Sequence, residues 1–300
     1  MSVSRGVRDM TTPLRALLLA SMLAGSIAPG WHALGSTLAL ALSSEAYTHI
    51  LLILPLTCAL IYMARAALPQ VFRSNVREGP ALLAAALLLA GLVKLTAGET
   101  TTDVRLSLNM IALVMGWIGS VVICFGIQAL RAFLFPLFFL FWLVPIPEFA
   151  LNEIVQFLQH QSALAARILF VLAGVPVTQE GIVLSVPGWD VEVARECSSI
   201  RSSVMLVVTT MVLAHLFLRS RWRKALLIVV AVPLAAIKNG LRIFTLVQIG
   251  TRWDASIFDS DLHHRGGILF FAVSVGLTLG VLWILRRSEG LQARDLEPVR

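Results

Sequence analysis

The chain has 300 residues, 58% of them hydrophobic and only 14% charged, against about 45–50% apolar and about 25% charged in a soluble domain. That composition excludes a single water-soluble globule, because apolar runs of roughly 20 residues, long enough to cross the hydrocarbon layer, recur along the whole chain. The formal net charge of +7 fits basic loops held on the cytoplasmic side of a membrane, not a nucleic-acid-binding surface.

At the N-terminus, Arg5, Arg8 and Arg15 stand before the apolar stretch Ala16–Ala28 in the manner of a signal sequence. No small-x-small cleavage site closes it, so it reads as an uncleaved first span. Eight spans are predicted in all, at about 14–33, 49–67, 80–98, 107–127, 132–146, 198–218, 225–246 and 266–285. With the N-terminus in the cytoplasm, the inner segments collect fifteen of the 24 basic residues. That inward bias sets the orientation and puts both termini inside. The fold class is therefore all-α, a polytopic membrane bundle of about eight transmembrane helices. It is read as one domain over 1–300 with a cytoplasmic tail at 286–300.

The topology closes only if 147–197 stays outside. Leu151–Leu172 is helical in pattern but carries Asn152, Glu153, Gln156, Gln159, His160, Gln161 and Arg167. These are costly at the bilayer centre, so the helix is predicted to lie at the outer interface, or to form a re-entrant hairpin with both ends outside. Val175–Val193 follows, with Pro176, Gly181, Pro187 and Gly188 as breakers around the β-branched runs Ile182–Val186 and Val191–Val193. A short extracytoplasmic β-hairpin feeding into Cys197 is the expected result.

Of the three cysteines, Cys58 and Cys124 lie inside apolar runs and read as inert packing. Cys197 opens the sixth span in Glu196-Cys197-Ser198-Ser199-Ile200-Arg201. A helix N-terminus favours thiolate, and Arg201 one turn on adds to that field; a thiolate is a nucleophile for acyl transfer. In the seventh span Arg242 lies about 17 residues past Ala225, about 26 Å along a helix and near the outer boundary. It shares a face with Asn239 at i, i+3, and a guanidinium there can hold a carbonyl oxygen as negative charge develops. His263 and His264 stand at the outer mouth of the last span, where an imidazole can serve as acid and base. His49 opens the second span on the outer side and could line a substrate entrance, while His160 sits on the interfacial helix and His215 reads as structural. Each residue taken alone also has a plain structural explanation: a small residue at a helix start, a snorkelling arginine, an interfacial histidine pair. No CxxC, phosphate-binding loop, dinucleotide fingerprint or HExxH occurs, so no metal or cofactor is expected.

Taken in order, these segments resemble the exosortase/archaeosortase family of integral-membrane processing enzymes. The resemblance runs through Glu45-Ala46-Tyr47-Thr48-His49, Phe135-Pro136-Leu137, Pro145-Ile146-Pro147, Leu158-Gln159, Gly174-Val175-Pro176-Val177 and Val191-Glu192-Val193-Ala194. It ends with Cys197-Ser198-Ser199-Ile200-Arg201-Ser202, Asn239-Gly240-Leu241-Arg242, and Leu262-His263 with Gly266-Gly267. One departure is Ser199, where the family commonly has glycine. The resemblance implies Cys197 as nucleophile, Arg242 as oxyanion stabiliser and His263 as acid/base, with His264 as the alternative register. Arg201, Asn239, His49 and Glu196 then fall in supporting or substrate-binding places. It also implies the substrates: exported proteins with a C-terminal sorting tail made of a motif such as Pro-Glu-Pro, a membrane helix and a basic cluster. A thioester would form in a bacterial cytoplasmic membrane, facing the periplasm, and be resolved by water or by an acceptor such as a surface glycan or glycolipid. Two rivals stand beside this reading. A transporter or scaffold would carry its polar residues near the midplane, and a membrane acyl- or glycosyltransferase with a histidine base would not need Cys197.

Overall fold

The structure is a computed structural model and describes residues 12–65, 78–96, 98–193, 200–252 and 267–295. The helices are α1 (Thr12–Ser43), α2 (Ile50–Ala64), α3 (Glu78–Leu95), α4 (Thr102–Ala132), α5 (Leu134–Phe139), α6 (Glu148–Leu172), α7 (Ile200–Phe217), α8 (Arg221–Arg252) and α9 (Gly267–Asp295). Single 3-10 turns precede α2 at Glu45–Tyr47 and follow α5 at Leu140–Leu143. Among the described residues, seven helices are long and apolar enough to cross a membrane, and eight spans result if the bent pair Leu134–Leu143 and Glu148–Leu172 counts as one. The architecture is the all-α polytopic bundle that the hydropathy dictates. Leu87, Leu88 and Leu92 on α3 stay exposed, as side chains facing hydrocarbon do. The chain divides into two compact units, 1–150 and 151–300.

In the first unit α4 is the central helix. Trp117 Nε1 donates to Ser26 Oγ at 2.8 Å and ties it to α1. Gly126 breaks α4 with φ 81 and ψ 175, a conformation open to a residue with no Cβ. The break takes nearby carbonyls out of the helical ladder, and Arg15, 3% exposed, donates to the Cys124 carbonyl oxygen at 3.2 Å. Beyond the break the chain doubles back. Ser107 Oγ, near the start of α4, donates to the Pro145 carbonyl at 2.7 Å, Tyr47 OH donates to the Ile146 carbonyl at 2.7 Å, and Asp103 Oδ2 accepts the Glu148 N–H at 2.8 Å. Residue 145 is thus back beside the N-terminal end of α4.

The span predicted at 132–146 therefore needs correction as a single straight helix. Leu134–Leu143 is ten residues of α and 3-10 helix, about 15 Å against a hydrocarbon layer of about 30 Å. It serves as part of the return arm that begins at Gly126. At the break after Leu143 the chain bends by 98° into α6.

The second unit holds α6 from residue 151, a sheet and α7 to α9. The sheet has β1 (Thr178–Glu180), β2 (Val183–Val186) and β3 (Trp189–Glu192) in the order β1-β2-β3, all antiparallel. The expected hairpin is β2 and β3, joined by Pro187-Gly188; β1 is an additional strand. Alternation sends Leu184 and Val186 inward, where they pack with Val193, with Ala163, Ala166 and Phe170 of α6, and with Ile243 and Val247 of α8. At the other end, Glu289 of α9 accepts the backbone N–H groups of Arg219 and Ser220 at 3.1 and 2.8 Å, fixing the turn between α7 and α8.

Candidate active site

The described part of the site is built where α6 and α8 cross. The crossing is close because Gly240 has no side chain: a Cβ there would lie 2.6 Å from the Ala165 Cβ and 2.8 Å from the Ala166 nitrogen. Small residues on both helices let the backbones meet in this way. Next to this contact Asn239, 1% exposed, donates from Nδ2 to Ser162 Oγ of α6 at 2.9 Å. An amide so deep in an apolar unit must be hydrogen-bonded to be tolerated, and the bond fixes the rotation of α8. That rotation sets the direction of Arg242, one turn further along and half-buried.

A second polar bridge joins α8 to α7. Lys238, 4% exposed, donates from Nζ to Ser202 Oγ in the first described turn of α7. The bridge holds the start of α7, with the exposed Arg201 beside it, against the stretch of α8 that carries Arg242. Buried ammonium groups inside apolar segments are costly and need such partners.

The third tie fixes the sheet. Gln159 of α6, 5% exposed, donates from Nε2 to the Val193 carbonyl at 2.7 Å, and the Val193 N–H donates to the Ile182 carbonyl at 3.0 Å. The chain is thereby anchored at Val193, four residues before Cys197, and again from Ile200, three residues after it. Four residues reach at most about 14 Å and three about 11 Å. Cys197, Glu196, His263 and His264 themselves lie outside the described residues. His49 belongs to the first unit. It is 3% exposed with its ring edge-on to Trp142 at 5.9 Å, in the same place where Tyr47 holds the Pro145-Ile146-Pro147 segment.

The family model described as transmembrane exosortase matches residues 39–280. The chain belongs to the exosortase family. The match spans both compact units and takes in every segment of the resemblance noted above. No curated protein and no solved structure matches the chain significantly.

Within this exosortase-family chain, several motif residues now have a physical account. Gly240 is the crossing contact, Asn239 the buried bond, Tyr47 and Pro145–Pro147 one joint, and Gln159 the anchor of the strand end. Lys238, Ser202 and Ser162 had no role assigned from the sequence. A lysine inside an apolar run was itself the available signal; the two serines are too common in helices to carry one.

Proposed function

We propose that this protein is a membrane cysteine protease-transpeptidase that removes the C-terminal sorting tail of exported proteins. Cys197 is the nucleophile, Arg242 stabilises the oxyanion, and His263 protonates the leaving amine, with His264 its neighbour in register. Arg201 and Glu196 flank the thiol, Asn239 orients Arg242, and His49 supports the Trp142 side of the first unit. The two units act as one functional domain in a bacterial cytoplasmic membrane, with both termini inside and the chemistry at the periplasmic face.

The observation that carries the reading is the α6–α8 crossing. It orients Arg242 through a buried bond beside the two anchored chain ends, Val193 and Ile200, that bracket Cys197. A substrate whose tail helix lies in the same bilayer presents its motif at that boundary. Confinement to one plane raises effective concentration and orients the scissile bond. The thiolate attacks the peptide carbonyl, the C–N bond breaks, and the tail departs with the proton from His263. An acyl-thioester remains for water or an acceptor to resolve.

The test is co-expression of wild type or Cys197→Ala with an exported reporter bearing a Pro-Glu-Pro tail, read by intact mass. Cysteine-dependent loss of the tail is the expected result. Tail loss that continues in Cys197→Ala would refute the assignment.

A further inference from the structure

A cleft of about 600 Å³ opens in the second unit between the first half of α6 and one end of the sheet. Asn152, Gln156, Gln159 and His160 line it from α6, and Glu180 and Glu192 from the sheet. We propose that this cleft is the acceptor subsite of the enzyme, and that the acceptor it takes is a cationic primary amine. The proposal rests on the thioester reading of Cys197.

Position is the first argument. The cleft borders Gln159, the residue that anchors Val193, and from Val193 the chain reaches Cys197 within about 14 Å. The cleft and the strand end that leads to Cys197 therefore share one anchor, Gln159.

Charge is the second. Thr178–Glu192 contains Glu180, Asp190 and Glu192 and no lysine or arginine, in a chain whose net charge is +7. The register places Val183 of β2 opposite both Glu180 and Glu192. The two residues thus sit at one end of the sheet about 10 Å apart, across two strand spacings, and both line the cleft at that end. Such a pair attracts a cation and repels an acidic peptide motif, which separates this cleft from the seat of a Pro-Glu-Pro segment.

Hydrogen-bond chemistry is the third. His160 Nδ1 lies 2.8 Å from the Gln156 carbonyl oxygen. A carbonyl only accepts, so Nδ1 carries a proton, and in the neutral ring Nε2 is the acceptor. Among the described residues, the hydrogen bond made by Gln159 is the one from Nε2, which leaves Oε1 as an acceptor on a side chain that lines the cleft. Carboxylates, Nε2 and Oε1 all ask for a ligand rich in N–H donors.

The step balances without a further reagent. The bound ammonium gives one proton to His160 Nε2, and the freed nitrogen attacks the thioester carbonyl. The C–N bond forms, the C–S bond breaks, sulfur leaves as thiolate, and a second nitrogen proton passes to it. The products are an amide and a regenerated thiol.

The experiment uses the full-length protein in membranes with the tailed reporter. Two probes are supplied in turn: a biotin-tagged diaminopentane, cationic at neutral pH, and a biotin hydrazide, neutral at that pH. The ratio of amine-capped to hydrolysed product is measured by intact mass, which makes the readout independent of how fast the tail is lost. Wild type is expected to prefer the cationic probe. The double variant Glu180→Gln/Glu192→Gln is expected to lower its capped-to-hydrolysed ratio about tenfold, the scale of losing a charge contact near a protein surface. Asp190→Asn, which removes a charge from the same sheet outside the cleft, is expected to leave the ratio unchanged. An unchanged ratio in the double variant, an equal fall in Asp190→Asn, or preferred capture of an added oligosaccharide overturns the amine subsite while leaving the cysteine chemistry standing. Absence of Cys197-dependent tail loss overturns both.

Discussion

At position 240 the side chain is a hydrogen atom because two helix backbones meet there. Gly240→Ala would place a methyl 2.6 Å from the Ala165 Cβ, and overpacking of that kind costs about 1–3 kcal/mol. The melting temperature in detergent should fall, and Ala165→Gly should restore part of the loss, since the Ala166 nitrogen at 2.8 Å stays in the way. Ser202→Ala should also destabilise, by about 1–2 kcal/mol, because it takes a partner from the buried Lys238 ammonium. Lys238→Met removes the charge along with the need for a partner, so the double variant should be more stable than the sum of the two single losses. An additive cycle would mean that the two side chains do not hold α7 to α8. Under the proposed chemistry Arg242→Ala should lower tail processing about 100-fold, as loss of an oxyanion donor does. Arg242→Lys should recover little of it, because an ammonium lacks the planar fork. Both are read from the tailed reporter at equal enzyme abundance.

At the scale of elements, the joint at residues 144–147, between the 3-10 turn and α6, has no regular structure of its own. It is held by Tyr47 and Ser107, whose hydroxyls donate to the carbonyls of Ile146 and Pro145. Tyr47→Phe and Ser107→Ala should each cost about 1 kcal/mol, and the pair should open residues 144–147 to proteolysis before the helices unfold. Protection equal to wild type in the double variant would argue against this joint. Pro145-Ile146-Pro147 could be seen in the sequence as a break, but its partners could not, because Tyr47 is 99 residues away from Ile146. The spans were legible because hydropathy is a local property. The kink at Gly126 was not, since a glycine within an apolar run gives no sign of its φ. Strand β1 was missed for a related reason: Thr178-Gln179-Glu180 is polar, and its place in the sheet comes from pairing with β2. That Asn239 and Arg242 share a helix face was legible from their spacing, whereas the Lys238–Ser202 bridge depends on how α7 and α8 pack.

For the molecule as a whole, the direction in which α6 runs decides whether its own two ends face the same water. A straight span of 25 residues would be about 37 Å long and could cross. Against crossing stand its polar residues, Asn152, Glu153, Gln156, Gln159 and His160, and the 98° bend by which it leaves the preceding arm. Under the proposed topology α6 lies along the interface. Its polar first half then lines the cleft, and its small residues Ala165 and Ala166 receive α8. Under the proposed orientation, both ends of such a helix lie outside the cytoplasm. In a background of Cys58→Ala, Cys124→Ala and Cys197→Ser, single cysteines at Glu148 and Pro176 should both react with a membrane-impermeant maleimide added to spheroplasts. A cysteine at Ser220, between α7 and α8, should react only after lysis. Labelling of position 148 without 176, or the reverse, would make α6 a true span. It would also carry the sheet, Val193 and the start of α7 to the opposite face from the Tyr47 joint, against the single periplasmic site proposed here.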